Sequence, residues 1–223
     1  MLKILISSRN AHKIAEIKSI LGDTFRWLTL NDFAGAPEIV EDAPTFAGNA
    51  TKKAVELAKW IADSQWSELR SKLSVMADDS GLEVDALNGA PGVHSARFAD
   101  PIGARNAPDN SNIEKLLKLL KNTPLERRTA RFRCVVALTP VLRPPEKRSS
   151  PVCAADEFEL ATQIAEGVCE GRIGLEPKGL GGFGYDPLFI PHGFSKTFAE
   201  LGEDVKNGLS HRGKALTALK RLL

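Results

Sequence analysis

The apolar positions of the chain change period several times, and each change predicts an element. Residues 2–6 form a short continuous apolar run, the mark of a buried strand. The run leads through Ser7-Ser8-Arg9-Asn10 into a helical pattern with apolar positions Ile14, Ile17 and Leu21, closed by Gly22. Residues 25–30 read as a second strand. A loop rich in Pro, Gly and acid over 31–44 precedes a long helix beginning near Thr45, with Phe46, Ala50, Leu57, Ala58 and Ile61 as its apolar stripe. Residues 73–77 predict a strand that stops abruptly at Asp78-Asp79-Ser80-Gly81. Extended structure resumes over 82–87 and turns at Asn88-Gly89. Residues 112–122 form an amphipathic helical pattern, with Ile113, Leu116, Leu117 and Leu120 on one side. A long strand over 129–139 has its partner at 160–168, and the intervening stretch 140–159, rich in Pro, Ser and charge, reads as a surface insertion. A glycine-rich loop covers 179–184, and a last helix runs from about 210 to 223. Strict alternation of strand and helix is lost after residue 80, which favours an α/β fold with a mixed sheet over a doubly wound parallel one.

Composition narrows the partners more than the fold. With 43% hydrophobic and 26% charged residues, the chain is neither disordered nor fibrous. Its 223 residues suit one large domain or two small lobes. Thirty basic residues stand against 28 acidic ones, a net charge of +2, so the strongly basic face of a nucleic-acid binder is not expected. Any anion must be bound at a local site. Cys134, Cys153 and Cys169 are odd in number and form no C-x-x-C pair, so buried thiols are expected, not a disulfide framework or a zinc site. No stretch approaches the ~20 apolar residues that span a bilayer. Met1 to Ile6 runs straight into a strand-like segment without a signal-peptide pattern, and the expectation is a cytoplasmic protein without membrane partners.

Four segments carry candidate chemistry. Ser8-Arg9-Asn10-Ala11-His12-Lys13 lies at a strand-to-helix junction, where open N–H groups and the helix dipole favour an anion; a plain capped helix is the competing explanation. Asp78 and Asp79 directly follow an apolar strand, where paired carboxylates are costly unless solvated or matched by a cation. With a distant acid such as Glu41 they suit Mg²⁺, which needs only one or two carboxylates besides water and phosphate; an acidic turn with Gly81 at positive φ is the alternative. Gly179-Leu180-Gly181-Gly182-Phe183-Gly184-Tyr185-Asp186-Pro187 lets backbone approach a flat ligand, with Phe183 placed to stack; a mobile glycine-rich surface turn is the alternative. Lys206 and Ser210-His211-Arg212-Gly213-Lys214 offer donors to a carbonyl or phosphate oxygen, although such a segment taken alone is more often just a basic helix start.

In this order, the segments resemble the inosine triphosphate pyrophosphatase family. The likeness extends to Thr45-Phe46 and Asn49-Ala50, to Leu82-Glu83-Val84-Asp85-Ala86-Leu87, to Gly89-Ala90-Pro91-Gly92-Val93-His94-Ser95-Ala96-Arg97 and to Thr197-Phe198-Ala199-Glu200-Leu201. Ser8 stands where the family usually has Thr, Arg9 and His12 where smaller residues are common, and Phe98 where Tyr is common. The resemblance implies an elongated α/β structure, two lobes about a strongly twisted mixed sheet with the site in the cleft, and a homodimer. It further implies hydrolysis of deaminated purine nucleoside triphosphates (ITP, dITP, XTP) to the monophosphate and pyrophosphate, which cleanses the nucleotide pool.

By that likeness Glu41 and Asp79 hold Mg²⁺, and Asp79, with Asp78 able to share a role, accepts the proton of the attacking water. Ser8, Arg9, Asn10, Ala11, His12 and Lys13 cradle phosphates, with Lys206 and Ser80 as further donors. Phe183 stacks on the purine, Gly184, Tyr185 and Asp186 shape its pocket, and His211 and Arg212 address the 6-oxo group that adenine lacks. Two rivals remain: a septum-inhibitor-type nucleotide pyrophosphatase with another base preference, and a nucleotide sensor that binds without cleaving.

Overall fold

The computed structural model describes residues 1–64, 66, 69, 71–102, 105–143 and 156–222. Most of the stretch predicted as an insertion, together with Cys153, lies outside them. Among the described residues six strands hydrogen-bond in the order β2-β1-β3-β4-β5-β6, namely β1 (Lys3–Ile6), β2 (Arg26–Thr29), β3 (Leu73–Val84), β4 (Thr129–Pro140), β5 (Gln163–Ile173) and β6 (Phe189–Pro191). β1 is parallel to both β2 and β3, whereas β5 and β6 are antiparallel, so the sheet is mixed as the pattern requires. By Cα packing the chain forms two compact units, one of residues 1–79, 135–165 and 216–223, the other of 80–134 and 166–215. Among the described residues no helix is long and apolar enough to cross a membrane.

The first unit is built on β1, whose Ile4, Leu5 and Ile6 are buried as the apolar run demands. Helix α1 (Ala11–Leu21) begins where Asn10 accepts the Lys13 N–H on its side chain. It stops at Gly22, whose φ of 72° suits glycine and whose N–H returns to the Lys18 carbonyl. Helix α2 (Phe46–Asp63) starts at Thr45, which accepts the Gly48 N–H. Its stripe of Phe46, Ala50, Leu57, Ala58 and Ile61 is buried, and each large side chain contributes about 1.5–3 kcal/mol. Two polar residues, Asn49 and Lys53, share that stripe and are buried with it. A short helix α4 (Glu157–Leu160), started by Asp156, occupies the end of the predicted insertion and Leu160, the first residue assigned to the last long strand, which begins later, at Gln163.

The second unit has its own apolar core. Helix α3 (Asp109–Leu119) supplies Ile113 and Leu116, which pack with Leu82, Val84, Leu120, Phe132, Ile173, Tyr185, Leu188, Phe189 and Phe198. It begins three residues earlier than the apolar pattern indicates, because Pro108 ends the preceding loop and its first turn is polar. Arg128 is buried and its guanidinium donates to the carbonyls of Leu120, Thr123 and Gly174, satisfying oxygens that end local segments. Elements too short for a periodic signal complete the unit: a 3-10 helix over Gly92–Arg97, α5 (Phe198–Leu201) and α6 (Glu203–Leu209). Helix α7 (His211–Lys220) starts after Ser210, whose hydroxyl accepts the Gly213 N–H at 3.0 Å.

One expectation is corrected. The segment Asp78-Asp79-Ser80-Gly81 is not a turn: β3 runs unbroken from Leu73 to Val84, and Gly81 is not among the glycines with positive φ. Side chains from other elements match the acids, so the ladder continues through them.

Gly167 in β5 decides how closely α7 can approach. A Cβ there would overlap the His211 carbonyl oxygen and the Ala215 nitrogen, both backbone atoms that cannot swing aside. Gly167→Ala is therefore expected to cost about 1–3 kcal/mol through overpacking, read as a lower midpoint in urea denaturation with an unchanged slope.

Candidate active site

The expected site residues fall into two groups, one within each unit. In the first, Ser8 and Asn10 build the start of α1. The Ser8 hydroxyl accepts the Asn10 N–H at 3.1 Å and Asn10 Oδ1 accepts the Lys13 N–H at 3.2 Å. Arg9, Asn10, Ala11 and His12 are exposed at this helix start. Lys13 turns back, placing its ammonium 3.2 Å from Asp78 Oδ2, whose carboxylate is almost wholly buried. Asp79 accepts a hydrogen bond from Asn49 Nδ2 at 2.9 Å. Lys53, a residue that the sequence argument passes over, donates to Glu41 Oε1 at 2.7 Å and to the Asp78 carbonyl at 2.6 Å. Three acids and two lysines are thus gathered on β3, α1, α2 and the loop before α2.

Burial is the largest influence on Asp79 and pushes its carboxyl up. Lys53 and the Asn49 hydrogen bond pull it down, Glu41 adds to the rise, and the balance stays above the ordinary aspartate value. Lys53 shows the reverse contest. Burial alone would lower its ammonium, but Asp78, Glu41 and Asp79 together hold it above the usual lysine value. Lys53 is therefore a firmly protonated cation among these acids. A buried acid with a raised pKa beside like and unlike charges is a candidate for proton transfer.

In the second unit, Asp186 organises the glycine-rich loop. Its Oδ2 accepts the Phe183 N–H at 2.8 Å and the Lys206 ammonium at 2.7 Å. Gly182, at φ 75°, leaves room that a Cβ would take from this carboxylate. The Lys206 nitrogen lies 4.5 Å from the Phe183 ring centroid, and the Arg212 guanidinium 5.8 Å from it. Arg212 is 1% exposed and donates to Ser80 Oγ at 2.8 Å. His211 stacks on Phe132, with ring centroids 4.7 Å apart and planes 12° from parallel. Tyr185 is buried and donates its hydroxyl to the Ser95 carbonyl at 3.0 Å. Lys206 and Ser80, expected as phosphate donors, are thereby engaged with the Phe183 and Arg212 group.

The whole chain has close relatives. The Ham1 family profile matches residues 4–222. The chain belongs to the Ham1 family. It is 42% identical to a dITP/XTP pyrophosphatase of Shouchella clausii, over 100% of this chain and 97% of that protein. A dITP/XTP pyrophosphatase of Clostridium perfringens is 44% identical over 99% of this chain and 96% of its own length. A HAM1 protein from Coxiella burnetii, whose structure is solved, superimposes with a TM-score of 0.78 at 37% identity, covering 100% of this chain and 98% of that one.

Within this Ham1-family chain, the residues that sequence reasoning missed left a readable trace. Asn49 and Lys53 interrupt the apolar stripe of α2 at positions that must face the interior. An amide and an ammonium on a buried stripe call for partners, and the acids of β3 and Glu41 are those partners. Phe132 and Ser95 had no such signal, since an aromatic or a serine in a half-buried segment is unremarkable. Among the described residues no group of three or more His, Cys, Asp or Glu is arranged to hold a metal ion.

The raised pKa of Asp79 carries a stability consequence with a definite sign. The fold tolerates the protonated carboxyl better than the charged one, so its contribution is full at acid pH and is lost as pH rises through the folded pKa. Asp79→Asn is expected to raise Tm at pH 7 in metal-free buffer, and the gain is expected to vanish below the ordinary carboxylate range. Thermal unfolding of both proteins across pH 3–8 measures this.

Proposed function

We propose that the chain hydrolyses deaminated purine nucleoside triphosphates (ITP, dITP and XTP) to the monophosphate and pyrophosphate, removing them from the nucleotide pool. The relatives named dITP/XTP pyrophosphatase match it from end to end, which supports the activity and the substrate class. One observation carries the chemistry: a buried Asp79, raised in pKa, beside Asp78, Glu41 and two lysines.

Asp79 takes the proton of the attacking water, a role that its burial and raised pKa suit. Asp78, paired with Lys13, keeps the lysine ammonium at the start of α1, where Ser8, Arg9, Asn10, Ala11 and His12 supply further donors to phosphate oxygens. Phe183 presents its ring to the purine, while Asp186 and Lys206 hold it. Tyr185 and Gly184 set the loop, and His211 and Arg212 donate toward a 6-oxo group. A base that offers an amino donor there leaves buried donors unmatched, which costs a factor of roughly 10⁴.

Mg²⁺ fits the residues present. It takes hard oxygen ligands and needs only one or two carboxylates, and Asp79 is a buried acid pushed up further by the Glu41 charge, a condition that a divalent cation relieves. Glu41 and Asp79 would hold it, and when bound it supplies neutralisation of the triphosphate charge. The family likeness also supports a cytoplasmic homodimer acting on a small-molecule nucleotide.

A turnover screen of ITP, XTP, dUTP, TTP and m⁷GTP with product identification tests this reading. Monophosphate and pyrophosphate from ITP and XTP are expected, with kcat lowered about 10²–10⁴-fold in Asp79→Asn. The wild-type rate is expected to fall on the acid side as Asp79 takes up its proton, at a pH above the ordinary aspartate value. A preference for the pyrimidine nucleotides, or turnover no greater than that of Asp79→Asn, would overturn it.

A further inference from the structure

The backbone that carries Phe183 is gripped by two carboxylates on successive amides. Phe183 N–H donates to Asp186 Oδ2, and the next amide, Gly184 N–H, donates to Asp109 Oδ2 at 2.7 Å. Asp186 is a local partner, three residues on. Asp109 arrives from the first turn of α3, 75 residues earlier in the chain. An acid in a first helical turn ordinarily serves its own helix, by favouring the positive end of the dipole. Here its carboxylate reaches across to the glycine-rich loop instead, at a residue whose φ of 61° places it in the left-handed region.

The support behind Asp109 is rigid. Asn112, one turn along α3 and 3% exposed, accepts the Ala99 N–H at 2.7 Å and donates to the carbonyls of Ala96 and Ala107. Ile113 and Leu116 anchor the same helix in the core. The other end of the loop is tied to the same platform, because the Tyr185 hydroxyl donates to the carbonyl of Ser95. Ser95 is itself fixed, accepting the Leu82 N–H at 2.9 Å and donating to the Gly92 carbonyl at 2.6 Å. The Phe183–Tyr185 backbone is therefore registered against α3 and the 92–99 segment at both Gly184 and Tyr185.

We propose that Asp109 is a positioning residue for base recognition, acting through the Gly184 amide to hold the Phe183 ring where a purine stacks. The inference rests on the proposed function for the role of Phe183. It separates base binding from phosphate binding, since Asp109 touches neither the phosphate donors of α1 nor the acids of β3 in any described contact.

The test compares wild type, Asp109→Ala and Asp109→Asn by calorimetric binding of IMP and of pyrophosphate, and by steady-state kinetics on dITP. In Asp109→Ala, Kd for IMP and KM for dITP are expected to rise about five-fold, the scale of one such hydrogen bond, with kcat and Kd for pyrophosphate within about two-fold. Asp109→Asn, whose amide oxygen can accept the same N–H, is expected to bind IMP within about two-fold of wild type. The proposal is overturned if Asp109→Ala binds IMP as wild type does. Equal losses for IMP and pyrophosphate, or an Asn variant as weak as the Ala variant, overturn it as well. Wild-type protein that binds IMP but releases no pyrophosphate from any nucleotide would overturn the proposed function alone, leaving the IMP comparison to decide on Asp109.

Discussion

Three carboxylates cannot be gathered around a buried strand unless a cation is built in with them, and in this chain the cation is Lys53. Its ammonium bonds to Glu41 and to the Asp78 carbonyl, and its charge opposes that of Asp79. The geometry is set by α2, because Lys53 lies one turn after Asn49 on the buried stripe. The apolar residues around both side chains fix them relative to the strand. Lys13 adds a second positive charge from α1, 3.2 Å from Asp78. The acids are thereby preorganised before any ligand arrives.

In the other unit the organising acid is Asp186. One oxygen serves a backbone amide and an ammonium at once, which places Lys206 under the Phe183 ring. The arrangement needs Gly182, whose missing Cβ makes room for the carboxylate. It also needs the close approach of α7 over Gly167, which brings His211 onto Phe132 and Arg212 onto Ser80. Each unit thus fixes its functional side chains with a buried acid–lysine pair. Such pairs cost desolvation, and here they set side-chain position more than they add to stability.

Long elements were legible because their periods were long enough to read. The α2 stripe, the β1 run and the β4 strand all emerge from apolar spacing, and Asn10, Gly22 and Thr45 bound their helices by ordinary cap chemistry. The break assigned to Asp78-Asp79-Ser80-Gly81 was wrong for a physical reason. Acid and glycine are turn-formers only when nothing else satisfies them, and here Lys13, Asn49, Lys53 and Arg212 do. The helices near residues 158, 199 and 206 span only four to seven residues, too few to leave a periodic signal. At the site, residue types named the acids and the aromatic loop. They could not assign Lys206 and Ser80 to partners, because those partners are distant in sequence.

The central claim is that Lys53 is the charge that lets Glu41, Asp78 and Asp79 stand together. The most direct measurement is the unfolding free energy of Lys53→Met, in metal-free buffer, from pH 7 down to pH 3. The variant is expected to be about 3 kcal/mol less stable at pH 7, since removing one partner strands the others, and to approach wild type as Asp79 becomes protonated. A variant as stable as wild type at pH 7 would contradict the account, as would a deficit of the same size across the whole pH range.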